Sequence, residues 1–206
     1  MAASLQTSRD DLKKMEKGEA PPDALRLLAA DHRKVEDLFE QFEKARGAEK
    51  KGELARQICT ELKIHAELEE RIFYPAVRGK IEADLLDEAY VEHDGAKVLI
   101  QEIEAGEPDE AFYDAKVKVL SEQIEHHVKE EERQEDSMFA QVRKADVDLE
   151  ALGQQMWSLK QELMAEAEAG ALPPAETRTF AGDDAEAALR SSSEFGEPGG
   201  KGTQKA

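Results

Sequence analysis

The sequence predicts an all-α protein: a helical bundle built from two hairpins of one plan, an additional C-terminal helix and a featureless tail. Three observations carry that expectation. Glu, Lys, Ala and Leu dominate a chain of 206 residues in which 36% are charged and only 5% aromatic, a composition that favours helices over sheets. Apolar residues recur in steps of three and four along five separate stretches. Histidines recur at matching places within the first four of them.

Residues 1–21 read as a polar extension with a thin scatter of Leu5, Leu12 and Met15. Pro21, Pro22 and Asp23 then announce a helix start. Behind them Leu25, Leu28, His32, Val35, Phe39 and Phe42 share one face, and the helix is expected to end near Arg46-Gly47. A second helix is expected from about Gly52, with Leu54, Ile58, Glu61 or Leu62, His65, Leu68 or Glu69, and Ile72 along its stripe and a break or kink at Pro75. A third runs from about Glu82 to Glu104, carrying Leu86, Ala89, His93, Ala96, Ile100 and Ile103. Gly106-Glu107-Pro108-Asp109 is a turn, and the fourth helix beyond it carries Val117, Leu120, Ile124, His127 and Glu131.

A fifth helix is expected from Asp148, a good N-cap, to about Ala169. Its stripe of Leu149, Leu152, Met156, Leu159 and Leu163 needs a surface to cover, on its own bundle or on a partner. Residues 170–206 hold six of the 13 glycines, Pro173, Pro174, Pro198 and a run of three serines, so they are expected to stay disordered. The expected organisation is thus an extension over 1–21, a bundle over 22–145, a helix over 146–169 and a tail over 170–206.

The formal charge of −19 argues against nucleic acid and anionic membranes as partners. No stretch approaches the roughly 20 apolar residues that span a bilayer, and the N-terminus lacks the apolar core of a secretion signal, so a soluble, cytoplasmic protein is expected. A single cysteine, Cys59, excludes an internal disulfide framework and a thiolate zinc site. It reads as a small buried residue.

The chemistry lies in the histidines. His32, His65, His93 and His127 occupy core positions, one on each of the first four helices. One such ring is usually a satisfied core residue, but four facing one interior call for shared partners, and bound metal supplies them. Glu69 and Glu131 follow His65 and His127 by four residues, hence on the same helix faces. Glu131 continues its apolar stripe, whereas Glu130 and Glu36 point beside theirs. Helix phase likewise prefers His127 to its neighbour His126 as a ligand.

The pattern repeats. Asp31-His32 is followed 33 residues after His32 by the first His-xxx-Glu, and Glu92-His93 is followed 34 residues after His93 by the second. Two hairpins with rough two-fold symmetry would place two ligand sets face to face. Their natural occupant is a pair of metal ions bridged by carboxylates and an oxo or hydroxo group. Four imidazoles and two carboxylates without thiolate suit iron, with manganese or zinc as alternatives.

Asp31-His32, His65-Ala-Glu-Leu-Glu69-Glu70 with Tyr74-Pro75, Glu92-His93-Asp94 and His126-His127-Val-Lys-Glu-Glu131-Glu132 together resemble the hemerythrin HHE cation-binding domain. The resemblance covers about residues 22–145, with a family-like extra helix to about 169. It implies an up-down-up-down four-helix bundle around two iron ions. His32, His65, His93 and one histidine of the 126–127 pair would be ligands, with Glu69 and Glu131 as bridging or chelating carboxylates. The chain departs from oxygen-carrying hemerythrins at Lys97, where they have a further histidine. It also departs in ending its ligand set on Glu131 rather than an Asp five residues after the His. These departures argue against simple oxygen carriage and leave an open or substituted coordination position, with Tyr74, Glu70 and Glu130 as nearby candidates. Asp31, Glu92 and Asp94 flank these histidines and read either as hydrogen-bond acceptors for ligand rings or as surface charges. The second His-xxx-Glu has no following proline, so the fourth helix is expected to run on further at that end.

The function expected is a non-haem di-iron protein that binds or senses oxygen, peroxide or nitric oxide. A di-iron peroxidase or catalase-like oxidoreductase and an iron-handling interaction protein are the alternatives. The expected partners are a small diatomic or peroxide ligand, with a protein partner or homo-oligomer through the fifth helix. A ferritin-like cage is disfavoured because the Glu-x-x-His pairs of that class are missing.

Overall fold

The computed structural model describes residues 10–20, 23–133 and 136–180. Six helices are labelled here: α1 (Ala24–Lys44), α2 (Ala48–Leu68), α3 (Ala83–Glu104), α4 (Tyr113–Val128), α5 (Met138–Val142) and α6 (Leu149–Glu168). The first four form the bundle, with α1 against α2 and α3 against α4, so each expected hairpin is a packed pair. Asp23 caps α1 by accepting the Arg26 N–H at 2.9 Å, and Asp148 caps α6 by accepting from Ala151 at 3.0 Å, as their residue types predict. The Pro21-Pro22 start signal lies outside the described residues. No helix among those described is long and apolar enough to cross a membrane.

Several boundaries differ from expectation, each for a local reason. The α1–α2 turn is tighter: Gly47, with φ +83°, reverses the chain and α2 begins at Ala48, ahead of Gly52. Pro75 does not break α2. The helix widens into a π-turn over Glu69–Phe73, where the Tyr74 N–H reaches Glu69 O, and Pro75 enters in the first turn of Tyr74–Val77, where its missing N–H leaves no bond unmade. The π-turn that follows α4 spans Lys129–Arg133, and residues 136–137 are no longer helical. Ser137 takes an extended backbone and accepts the Ala140 N–H, starting α5 as a separate element. Residues 171–180, expected to be featureless, lie across the bundle with Ala175 buried. The expected tail beyond them, 181–206, is outside the described residues.

α6 covers its own bundle. Leu152, Met156, Leu159 and Leu163 are buried, and Gly153 lets the helix meet the start of α1 so closely that a Cβ there would sit 2.7 Å from the Ala24 nitrogen. Two apolar clusters result. One gathers Phe39, Phe42, Leu54, Ile58, Ile100 and Val117 at the turn end of the hairpins. The other gathers Leu28, Leu68, Phe73, Leu86, Phe139 and Met156 beneath α5 and α6. Cys59 is buried in the first, and burial pushes its thiol up to about 12. Between the two clusters lies a polar layer.

Candidate metal centre

Each of the first four helices delivers one histidine to this layer, because each carries the ring on its core-facing stripe. His32, His65, His93 and His127 are all under 10% exposed. The π-turns deliver the carboxylates. In a regular helix three consecutive residues do not share one face, yet Leu68, Glu69 and Glu70 are all buried. Widening the turn lets Leu68 reach the apolar cluster while Glu69 enters the layer. Glu131 enters the layer from within the second π-turn, four residues after His127 as Glu69 is four after His65. The six residues that the sequence nominated are therefore together.

Their geometry is nearly two-fold. His32 Nε2 faces His65 Nε2 at 3.0 Å, and His93 Nε2 faces His127 Nε2 at 3.3 Å. Glu69 Oε2 lies 3.2 Å from both His65 Nε2 and His93 Nε2, so it reaches both hairpins. Glu131 does the same, with Oε2 3.3 Å from His32 Nε2 and Oε1 3.6 Å from His127 Nε2. His32, His65, Glu69 and Glu131 form one candidate cation group, and Glu69, His93 and His127 a second that shares Glu69.

The outer ring nitrogens are held by acids. His32 Nδ1 donates to Glu132 at 2.5 Å, His93 Nδ1 to Glu70 at 2.9 Å and His127 Nδ1 to Glu92 at 2.8 Å. His65 Nδ1 faces Asp31 at 3.8 Å. A protonated Nδ1 leaves the Nε2 lone pair aimed inward, the form that ligates metal. Asp31 and Glu92 thus back histidines as expected. Asp94 does not; it turns outward to residues 178–180. Glu70 stands behind His93 rather than in the layer, and Glu130 lies at the surface 3.4 Å from the exposed His126. Of the candidates for an open position, only Tyr74 points in. It is fully buried, and its hydroxyl is 3.2 Å from both Glu69 and Glu131.

The charges call for a cation. Burial pushes the imidazolium of His65 down, but Glu69 and Asp31 more than reverse this and raise it to about 10. His127 is raised well above the ordinary histidine range in the same way, against burial, by Glu131, Glu69 and Glu92. Burial and the neighbouring Glu69 and Glu131 charges push the Tyr74 phenol well up. Even so, Glu69 Oε1 and Glu131 Oε2 make no hydrogen bond, although both are buried. An orphaned buried carboxylate oxygen is costly. Opposed nitrogens at 3.0 and 3.3 Å also match neighbouring ligands, each about 2.1 Å from a shared ion. The residues fit bound metal.

Sequence reasoning missed Glu132 behind His32, the buried Lys160–Asp31 pair at 2.5 Å and Arg178 on Glu70. Only Glu132, one residue beyond Glu131, carried a positional signal.

Known proteins place this arrangement. The sequence profile of the hemerythrin HHE cation binding domain matches residues 23–136. A DNA nickase from Nostoc sp. (strain PCC 7120 / SAG 25.82 / UTEX 2576) is 32% identical over 117 residues. That is 57% of this chain and 32% of the relative, so the chain matches about a third of that protein's length. A crystal structure of a hemerythrin HHE cation binding domain-containing protein from Mycobacterium kansasii is similar with a TM-score of 0.61 at 23% identity. The match covers 71% of this chain and 90% of that one, and at this identity it speaks to the fold alone. With its profile matched over more than half its length, this chain belongs to the hemerythrin HHE cation-binding domain family.

Proposed function

We propose that this chain is a non-haem di-iron protein of hemerythrin type, with His32, His65, Glu69, His93, His127 and Glu131 as the ligands, and that it binds or senses oxygen, peroxide or nitric oxide. One observation carries the reading: two buried carboxylates each reach histidines of both hairpins while each keeps one oxygen without a hydrogen bond. The thiolate-free donor set suits iron. When bound, a ferrous pair supplies two electrons, one from each ion, to an oxygen-derived ligand.

The protein's part is to hold and orient. Glu132, Glu70 and Glu92 fix three of the histidine rings with Nε2 inward. Without metal, the protons held on His65 and His127 balance the buried carboxylates, and metal takes their place. Tyr74, buried in the apolar cluster beneath α5 and α6, holds its hydroxyl within hydrogen-bond reach of Glu69 and Glu131 and so positions the two carboxylates. The nicking of DNA named for the Nostoc relative forms no part of this reading, because a chain of charge −19 repels the phosphate backbone.

The test is metal analysis with optical spectra on protein from iron-replete cells. About two irons per chain and an absorption spectrum that changes on admitting air are expected. A folded protein that carries no metal, or only zinc, overturns the reading.

A further inference from the structure

We propose that residues 171–180 form a strap that roofs a cavity leading into the metal layer and limits entry through it to ligands of two or three heavy atoms. The inference rests on the metal-centre reading for its purpose, though not for its geometry. α6 ends at Glu168, and Gly170, with a φ of +68°, turns the chain back over the bundle. Leu172, Pro173, Pro174 and Ala175 then form one wall of a cavity of about 50 Å³. His32, His65, His93 and His127 line the same cavity, and Leu62, Ala96 and Ile124 are among its apolar sides. A single water needs on the order of 10–15 Å³ by this kind of measure, so the space suits a diatomic or triatomic molecule. A branched organic ligand does not fit unless the strap lifts.

The strap is fastened by charge. Asp94 on α3 is fully buried, and its carboxylate accepts hydrogen bonds from the Arg178 N–H at 2.8 Å, the Thr179 hydroxyl at 2.7 Å, the Phe180 N–H at 3.1 Å and the Thr179 N–H. Lys97 is the other cation nearby, at 3.5 Å. Arg178 Nε pairs with Glu70 Oε2 at 2.5 Å, and Gln101 donates to the Ala175 carbonyl. Lifting the strap would strip four donors from a buried carboxylate, so the closed state is strongly favoured. The fastening also touches the centre, because Glu70 is the acid that holds His93 Nδ1.

The test uses the full chain and the double variant Arg178→Ala/Thr179→Pro, which removes the Glu70 pair and two donors to Asp94. Loss of these contacts raises the open population by at least about tenfold. In iron-loaded, reduced protein, hydrogen peroxide and tert-butyl hydroperoxide are compared by the rate at which each changes the optical spectrum. The wild type is expected to favour the small peroxide strongly, and the variant to lose at least about tenfold of that preference. An unchanged preference overturns the strap. If the purified chain holds no iron, the metal reading fails but the strap is still read. The four buried histidines are then free to react with diethyl pyrocarbonate, followed residue by residue by mass spectrometry, with exposed His126 as the internal standard. Modification of His32, His65, His93 and His127 at least about tenfold faster in the variant, at equal His126 rates, supports the strap. Equal protection overturns it. Arg178→Ala alone, at a side chain 45% exposed, repeats both measurements with the fold undisturbed should the double variant not fold.

Discussion

The α1–α2 and α3–α4 hairpins present almost the same inner donors on quite different supports. Inside, His32, His65 and Glu69 mirror His93, His127 and Glu131, and each carboxylate crosses to the other hairpin. Outside, the acid behind His65 is Asp31, buried and paired with Lys160 of α6 at 2.5 Å. The acid behind His127 is Glu92, partly exposed and shared with the solvent-facing His126. Ile64 and Leu68 are buried under α6 where His126 and Glu130 meet water in the other hairpin. The difference teaches that the two-fold repeat belongs to the inner histidines and glutamates alone. α6 seals the first hairpin, while the second is left to the strap and to solvent.

The equivalence of the inner donors is broken most severely by removing a shared carboxylate. Glu69→Ala and Glu131→Ala are each expected to abolish binding of both ions, measured as metal per chain. Retention of one full ion in either variant would show that the carboxylate serves one hairpin only. Replacing the acids behind the rings is milder. Asp31→Asn and Glu92→Gln should each weaken metal affinity by roughly 10–100-fold in competition with a chelator.

The contrast in supports is sharpened by stability. Lys160→Met strands the Asp31 carboxylate in the interior and should cost about 3–5 kcal/mol in denaturant titration. Glu92→Gln, half open to water, should cost about 1 kcal/mol or less. Similar losses for the two would erase the distinction between the sealed and the open hairpin. Gly153→Ala drives a methyl against the backbone of Asp23 and Ala24 and should loosen α6 by about 1–3 kcal/mol, with a fall in melting temperature. The smallest effect belongs to His126→Ala, which should leave metal content intact and stability within about 0.5 kcal/mol.

Much of the inner site was legible because its signal is periodic. A histidine on a core stripe, four times over, states its direction through helix phase alone, and the same phase separated His127 from His126. Glu69 was harder: phase left it level with Leu68, and only the π-turn shows that both enter the interior. Pro75 signals a break or kink, and the missing proline after Glu131 a continuation. The first is absorbed by the widened turn, and the second gives way to a separate helix capped by Ser137. The strap was illegible because its Gly and Pro content marks an inability to form a core of its own, and says nothing about a surface supplied by another part of the chain.

By itself the sequence determined the helices and the faces that carry the buried histidines, since these follow from spacing along one helix at a time. Tertiary structure alone decided which acid stands behind which ring, that Lys160 meets Asp31 across 129 positions and that residues 171–180 roof the layer. Such pairings join groups far apart in the chain, and no local periodicity records which distant side chain a buried charge will find.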